Sequence, residues 1–263
     1  MYKLFIKLVS LATFLAGVAS CSVKEDRVPC PGYLYVTVPE DARVVGPVGM
    51  VGWNDKVLFR HEHDLERDGR SWVKTLKKGS LIFGAYSGNR TMVDDGHYMT
   101  IPLGSQCDSV YAYYTPVELE EQAFVELSMK KQFATVRVDL NQSEGSMRAL
   151  TFTVAGNTCG FDLNGFYPVS GAYSYEFRTA VKERTASFRV PRQADDSLEL
   201  QVMTPVGLPL NTIAVGRYIG ILGYDWTAEE LADIEINIDF QYAIVEIRVE
   251  GWEDGITVSL IEC

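Results

Sequence analysis

Apolar residues recur at every second position through most of this chain, and this alternation is the strongest constraint on its fold. In the segment Tyr33–Val38, the apolar Leu34, Val36 and Val38 alternate with other residue types. Successive side chains of a β-strand point to opposite faces, so a period of two is typical of half-buried strands in antiparallel sheets. The same pattern predicts strands at Val57–Arg60, Trp72–Leu76, Leu81–Tyr86, Tyr98–Ile101, Val110–Tyr114, Phe124–Met129, Ala134–Leu140, Leu150–Val154, Ser187–Val190, Leu198–Val202, Ile234–Asp239, Ala243–Val249 and Ile256–Leu260.

Turn-forming residues separate these strands at short intervals, and helical patterns are scarce. One short helix is predicted at Thr227–Ala232, because Thr227 and Glu230 have the spacing of a capping box. Short strands with frequent turns predict an all-β chain built as two β-sandwiches in tandem. The polar step Lys130–Gln132 marks the predicted boundary, which gives one sandwich at 33–130 and a second at 131–263.

The N-terminus has the features of a secretory signal peptide. Lys3 and Lys7 precede an apolar run, Leu8–Val18, that ends in small residues. A membrane-spanning helix needs about 20 apolar residues, so this run is too short to span a bilayer. We therefore predict a signal peptide at residues 1–20.

Cys21 follows Val18-Ala19-Ser20 directly, as in the lipobox of bacterial lipoproteins. This match predicts that the Cys21 thiol carries a diacylglyceryl group and that residues 21–32 form a lipidated tether. Two or three acyl chains hold a protein on a membrane durably, whereas one chain binds reversibly. The alternative is an ordinary cysteine after a conventional cleavage site.

The residues after Cys21 carry a second signal for localisation. Ser22–Asp26 contains a lysine followed by two acidic residues, which is similar to the surface-export signal of Bacteroides-type lipoproteins. This interpretation predicts a lipoprotein exposed on the outer membrane. A solvated, flexible tether is the alternative, because charge-rich segments with few apolar residues form one by default.

The charge of the chain excludes one class of partner. It has 24 basic and 35 acidic residues, and removal of residues 1–20 takes away Lys3 and Lys7 but no acid, which leaves a mature charge of −13. Nucleic-acid-binding proteins present basic patches instead, so no nucleic-acid partner is predicted. Attachment to a membrane would depend on the lipid of Cys21.

Four cysteines besides Cys21 are candidates for disulfides in an exported protein, where oxidising conditions permit them. They are Cys30, Cys107, Cys159 and Cys263. Four cysteines allow three pairings, and the sequence does not choose among them. Buried unpaired thiols are the alternative.

Two groups of residues could form a metal or catalytic site, and neither has the spacing that catalysis needs. His61 and His63 would lie on one face of a strand and could begin a metal site, but they lie among charged residues typical of a hairpin end. Paired carboxylates of a glycosidase must face each other across a sugar, whereas adjacent carboxylates point apart. The carboxylate pairs are Asp94-Asp95, Asp195-Asp196 and Glu229-Glu230.

Exposed tyrosines offer a third kind of site, an aromatic platform for a sugar or a protein. The candidates are Tyr111, Tyr113 and Tyr114, or Tyr173 and Tyr175, although aromatic residues also commonly fill the faces of sheets. No nucleophile elbow, phosphate-binding loop or dinucleotide fingerprint occurs in the chain. We predict no enzymatic activity, no cofactor and no metal.

Several short motifs occur in an order that resembles the FimB-like fimbrial anchor lipoproteins of Bacteroides-type bacteria. The match begins with Cys21–Arg27 and Cys30-Pro31 and runs to Trp252, although Val44–Gly52 matches nothing in the family. Between these ends lie the matching segments Tyr33–Val38, Lys78–Asn89, Phe133–Val138, Phe188–Arg192 and Val249–Trp252.

The resemblance implies two transthyretin-like sandwiches, no enzymatic activity, and a role in fixing a fimbrial rod to the outer membrane and limiting its length. Its implied partner is a fimbrial stalk subunit, joined by an extended strand that enters a neighbouring sheet. Edge strands next to Tyr33–Val38, or the segment Ile256–Ile261, are the predicted joint. The alternatives are a surface lipoprotein that binds a glycan or host protein, and a surface hydrolase.

Overall fold

Alternating side chains do form strands throughout this computed structural model, which describes residues 30–142 and 148–259. The predicted signal peptide, the predicted lipidation site Cys21 and the candidate disulfide residue Cys263 lie outside these residues. The strands are β1 Gly32–Thr37, β2 Val48–Trp53, β3 Val57–His63, β4 Ser71–Leu76, β5 Gly79–Ser87, β6 Val93–Asp95, β7 Tyr98–Thr100, β8 Tyr111–Leu119, β9 Gln122–Glu126, β10 Lys130–Lys131, β11 Phe133–Asn141, β12 Thr151–Asp162, β13 Pro168–Arg178, β14 Thr185–Pro191, β15 Glu199–Met203, β16 Pro209–Ile213, β17 Ile234–Asp239, β18 Ile244–Val249 and β19 Gly255–Ser259. The helices are α1 Leu65–Asp68 and α2 Val215–Ile221.

The first half of the chain contributes two facing sheets of unequal size. A three-stranded sheet has the order β4-β1-β9, with β1 antiparallel to β4 and parallel to β9. A five-stranded sheet has the order β10-β8-β5-β2-β3. The core between them is formed by the inward members of the alternating pattern, among them Leu34, Val36, Met50 and Phe83.

The second half repeats this two-sheet arrangement with longer strands. One sheet has the order β14-β11-β17-β18-β19, and the other has the order β16-β15-β12-β7-β6, with β13 paired to β12. The buried aliphatic and aromatic side chains between the two sheets include Val136, Phe152, Leu200 and Ile236. The predicted all-β sandwich architecture is confirmed.

One hairpin of the first half belongs to the second half's sheet. β6 and β7 form this hairpin, and β7 pairs with β12 through Thr100 opposite Gly160. At the hairpin's turn, His97 Nδ1 lies 2.6 Å from Asp162 Oδ1, and the His97 ring stacks on Trp53 at the end of β2. The division at Lys130 stays a prediction, and this hairpin crosses it.

The helix predicted at Thr227–Ala232 is wrong, because other groups take the hydrogen bonds that a helix would need. Thr227 bonds to the Asp225 carboxylate through both its backbone N–H and its hydroxyl group. The buried Arg192 guanidinium donates to the carbonyl oxygens of Trp226 and Glu229. A helical carbonyl accepts from the N–H four residues later, so these carbonyls are diverted to Arg192.

Within the described part of the chain, no helix has the length and the apolar character needed to cross a bilayer.

Candidate functional site

Three of the four candidate disulfide cysteines lie in the described residues, and all three are free thiols there. Cys30 is exposed, Cys107 is buried, and Cys159 is half-buried with its thiol 3.7 Å from the Val169 carbonyl oxygen. Burial raises the pKa of the Cys107 thiol, although the nearby Arg189 acts in the opposite direction. Buried neutral thiols are weak nucleophiles, so Cys107 has a packing role. The pairings that involve Cys263 stay open.

The two histidines of β3 share one face, as expected, and that face points into the first sandwich. His61 stacks on Trp72 with ring centroids 4.6 Å apart, and His63 Nε2 lies 2.8 Å from the Gly69 carbonyl oxygen. Burial, followed by the charge of His63, lowers the pKa of His61 below 6.5. Within residues 30–142 and 148–259, no three His, Cys, Asp or Glu side chains come together as a metal site.

Local partners hold the three carboxylate pairs. Asp94 accepts a hydrogen bond of 2.5 Å from the Tyr86 hydroxyl group. Asp195 accepts from the backbone N–H of Ser197 at 2.9 Å, and the Ser197 side chain, followed by this backbone hydrogen bond, lowers the Asp195 pKa. Glu230 pairs with Arg43 at 3.0 Å, and Glu229 with Lys130 at 3.4 Å. At least one carboxylate of each pair therefore has a structural role, and those of Glu229 and Glu230 bind residues distant in the chain.

The tyrosines proposed as a platform do not share an open face. Tyr173 is buried, and its hydroxyl group donates to the Arg189 carbonyl oxygen at 2.9 Å. Tyr111 packs edge-on against Phe133, and Tyr114 packs edge-on against Phe166. These three rings pack against other residues of the chain, so they do not form a common binding platform.

A different aromatic cluster is exposed, and the sequence analysis missed it. Tyr33 and Tyr35 lie on the outer face of β1, where Tyr35 is opposite Val73 of β4 and Phe124 of β9. The Tyr35 and Phe124 rings stack with centroids 4.9 Å apart. Phe124 is 73% exposed, Val73 48% and Tyr33 43%. Apolar side chains gathered on an outer sheet face are typical of a binding surface.

Sheet edges are the other candidate sites, because unpaired backbone groups can accept a strand from a partner. β1 is internal, and its neighbours β4 and β9 are the two edges of the three-stranded sheet. β19 is an edge of the second half's sheet, where it pairs with β18 from Ile244–Ser259 to Arg248–Gly255. Both regions expected to form a joint therefore contain edge strands.

Comparison with solved structures finds the same fold in fimbrial and adhesin proteins from Bacteroides and Porphyromonas. No sequence-family profile matches the chain, and no curated protein matches it. The similarity therefore rests on structure, and it confirms for the fold the expected resemblance to fimbrial anchor proteins.

Three structures illustrate the similarity. The fimbrial anchor protein Mfa2 from Porphyromonas gingivalis matches with a TM-score of 0.58 and 12% identity, covering 85% of this chain and 98% of Mfa2. A Bacteroides thetaiotaomicron protein described as polysaccharide-binding matches with a TM-score of 0.61 and 13% identity, over 87% and 98% of the two chains. A second protein from that organism, described as an adhesin, matches with a TM-score of 0.58 and 15% identity, over 88% and 99%.

Proposed function

We propose that this protein is a non-enzymatic surface lipoprotein that anchors a fimbrium to the outer membrane and limits its length. The observation that carries the proposal is the fold shared with the fimbrial anchor Mfa2 over 85% of this chain. In this proposal residues 1–20 direct export, and the lipid on Cys21 attaches the chain to the membrane. A fimbrial stalk subunit is the protein partner.

The position of β1 supports an anchoring role. β1 is the first strand after the tether, and it lies between β4 and β9 with ladders on both sides. Hydrogen bonds of a ladder run across the strands, so a pull along β1 would load both ladders together. A strand held on both sides resists extraction better than an edge strand, which is the property that a force-bearing attachment needs.

The joint with the stalk subunit is proposed at β19. This edge strand is near the C-terminus, far along the chain from Cys21, so a load would cross the folded molecule between them. Addition of a partner strand would draw its affinity from main-chain hydrogen bonds and its specificity from alternate side chains. The half-buried Ile256 and Val258 are the apolar side chains that β19 offers.

Replacement of the lipidated thiol tests the anchor. In cells whose gene encodes Cys21→Ser, we expect this protein in the medium with fimbriae shed alongside it. Cys30→Ser is the matched control, because Cys30 is an exposed free thiol nine residues further along and its loss should leave both on the cell. Cell-bound fimbriae with the Cys21→Ser protein in the medium would refute the anchor.

Truncation tests the joint in the same assay. A chain that ends before Ile256 lacks β19, whereas a chain that ends at Ser259 keeps it. We expect the shorter chain to stay on the membrane and to lose the fimbriae, and the longer chain to retain them. Normal attached fimbriae on the shorter chain would place the joint elsewhere.

A second candidate function, glycan binding, is favoured by the exposed aromatic cluster of Tyr33, Tyr35, Val73 and Phe124. A structural neighbour is described as polysaccharide-binding, and aromatic rings with polar neighbours suit the apolar faces of sugars. A glycan array with the mature protein tests this function. Glycan binding that Phe124→Ala abolishes would support this function. Absence of binding to every glycan on the array would contradict it and would favour a protein partner for the cluster.

A further inference from the structure

A groove opens on one side of the first sandwich, between the edge strands β3 and β4 of its two sheets. The groove has a volume of about 700 Å³. The sheet that contains β4 has three strands, and the sheet that contains β3 has five, so the smaller sheet leaves this side open. Leu58, Leu76 and Leu81 supply the apolar part of the lining.

Lysines dominate the charge of this groove, although the chain as a whole is acidic. Lys56, Lys74, Lys77 and Lys78 belong to its lining, which contains no carboxylate side chain. They are four of the seven lysines in the described residues of a chain whose net charge is −11. The groove is therefore a concentrated positive site on an acidic protein.

Three lysines of the groove, Lys56, Lys74 and Lys77, differ in pairing from Lys130 and Lys131. Lys130 and Lys131 form ion pairs with Glu229 and Asp233. In the described part of the chain, no carboxylate lies within salt-bridge distance of Lys56, Lys74 or Lys77, and Lys74 Nζ lies 5.9 Å from the centroid of the Phe59 ring. These ammonium groups remain available to an anionic ligand.

Acidic residues at the same end of the sandwich lie next to the groove but outside its lining. Glu118 of β8 is paired with Ser80, which lines the groove, and Glu120 and Glu121 follow in the turn before β9. Asp55 is the acidic residue in the turn that leads into β3. A ligand inside the groove would therefore meet the lysines first, and the acids would limit its affinity.

The position of the groove relates it to the tether. Gly32, the first residue of β1, is paired with Leu76, which lines the groove. Paired Cα atoms of antiparallel strands lie about 4.5–5.5 Å apart, so the tether enters the fold beside the groove. Cys21 is eleven residues before Gly32, and a fully extended segment of that length spans at most about 40 Å. The groove therefore lies within reach of any membrane that holds a lipid on Cys21.

We propose that this lysine groove docks on the anionic headgroups of the membrane to which the chain is tethered. The ammonium groups would pair with lipid phosphates, and the leucines would contact the apolar boundary below them. Docking would turn the tether end of the first sandwich toward the bilayer, and the net negative charge of the protein favours keeping the rest of it away. The orientation of the anchor, as distinct from its attachment, would depend on these lysines. This inference rests on the proposed lipid attachment at Cys21.

Vesicle flotation of the mature Cys21→Ser chain tests the proposal without the lipid. We expect the chain to bind vesicles of phosphatidylcholine mixed with phosphatidylglycerol, to ignore pure phosphatidylcholine, and to dissociate as salt screens the charges. Each groove lysine that reaches the surface should contribute roughly fivefold to the partition coefficient, so Lys56→Gln with Lys77→Gln should lower it by roughly 25-fold. Lys182→Gln is the matched control and should leave the partition coefficient unchanged.

Several results would overturn the proposal. Equal binding to neutral and anionic vesicles, or an equal loss with Lys182→Gln, would remove the groove from the interaction. If inorganic phosphate releases more protein from the vesicles than chloride does at equal ionic strength, the groove is a site for soluble phosphate. Tighter binding of an oligoglutamate peptide than of anionic vesicles would indicate an acidic protein segment.

The proposed function is tested separately, so the two failures are distinguishable. Absence of vesicle binding by the Cys21→Ser chain would leave lipid attachment and fimbrial anchoring intact. Cell-bound fimbriae with Cys21→Ser protein in the medium would refute the anchor, while the measured affinity of the groove for anionic vesicles would stand.

Discussion

His61 is packed as a neutral ring, and this makes the first sandwich sensitive to acid. Its ring stacks on Trp72, and its Nε2 atom is buried without a hydrogen-bond partner among the described residues. The pKa of His61 is lowered by burial first and by His63 second, while Asp68 raises it and Lys74 and Arg67 lower it further. The unfolded chain therefore binds a proton at a pH where the folded chain does not.

The expected result is a loss of stability on acidification. The folded-state pKa lies below the unfolded value of 6.5, so the neutral ring contributes stability above pH 6.5. This contribution is lost as the pH falls from 6.5 toward the folded pKa, with a slope of at most about 1.4 kcal/mol per pH unit for one proton. His61→Phe keeps an aromatic ring on Trp72 and removes the titration. Urea unfolding of both proteins between about pH 7.5 and 5.5 measures the difference, and equal slopes would contradict it.

The direction of individual side chains could be predicted where the alternation is complete. In β1, Leu34 and Val36 face the core, while Tyr33 and Tyr35 point outward, as the period of two requires. The exposed cluster was missed because its third aromatic ring, Phe124, is about ninety residues away along the chain and reaches Tyr35 only through the parallel pairing of β1 with β9. Register between distant strands is not encoded in either strand alone.

Strands that are buried on both faces were harder to find than half-buried ones. β2 is buried along nearly its whole length, and its sequence Val48–Trp53 consists of two glycines and four apolar residues, so it shows no polar face. Its glycines make room for neighbouring rings, because a Cβ atom at Gly49 would lie 2.4 Å from the Tyr86 ring and one at Gly52 would lie 2.1 Å from Phe59. All of this strand except Trp53 lies within Val44–Gly52, the region that matches no motif of the fimbrial anchor family.

The predicted helix at Thr227–Ala232 failed for a reason that a local pattern cannot contain. The capping-box spacing of Thr227 and Glu230 is present, but the backbone N–H and the hydroxyl group of Thr227 both donate to the Asp225 carboxylate. Arg192, more than thirty residues earlier, takes the carbonyl oxygens of Trp226 and Glu229. A buried guanidinium needs several acceptors, and here they are the Gln132 side chain and the loop backbone.

The candidate sites also differ in whether their residues lie in one strand or in strands that are distant in the sequence. His61 and His63 were placed correctly on one face, because their spacing of two is a property of a single strand. The lysine groove was not predicted, since Lys56 and Lys74–Lys78 meet only when the edges of β3 and β4 face each other. Local patterns thus predicted the strands, whereas the sites depend on which strands become neighbours.

At the scale of the whole molecule, the β6–β7 hairpin joins the two halves into one structure. β7 pairs with β12, His97 contacts both Asp162 and Trp53, and Val51 and Trp53 belong to the same core as Val136 and Phe152. Elements that share a core and a sheet unfold together. We therefore expect a single calorimetric transition, with the van't Hoff enthalpy equal to the calorimetric enthalpy.

Gly160 is the position where this connection can be broken with one methyl group. A Cβ atom there would lie 2.0 Å from the Met99 carbonyl oxygen, so Gly160→Ala must push β7 away from β12. Overpacking of this kind costs about 1–3 kcal/mol, and we expect the transition to broaden or to split in two. Gly156→Ala in the same strand is the control, because its Cβ atom would approach the Gln193 side-chain oxygen at 3.0 Å and Leu198 at 3.7 Å, and no backbone atom closer than 3.8 Å. If the wild-type protein already shows two separate transitions, or if both variants unfold alike, the hairpin does not couple the halves, and a load entering at β1 would reach β19 through other contacts, such as the hydrogen bonds of Arg189 to Gln106 and to the Cys107 carbonyl oxygen.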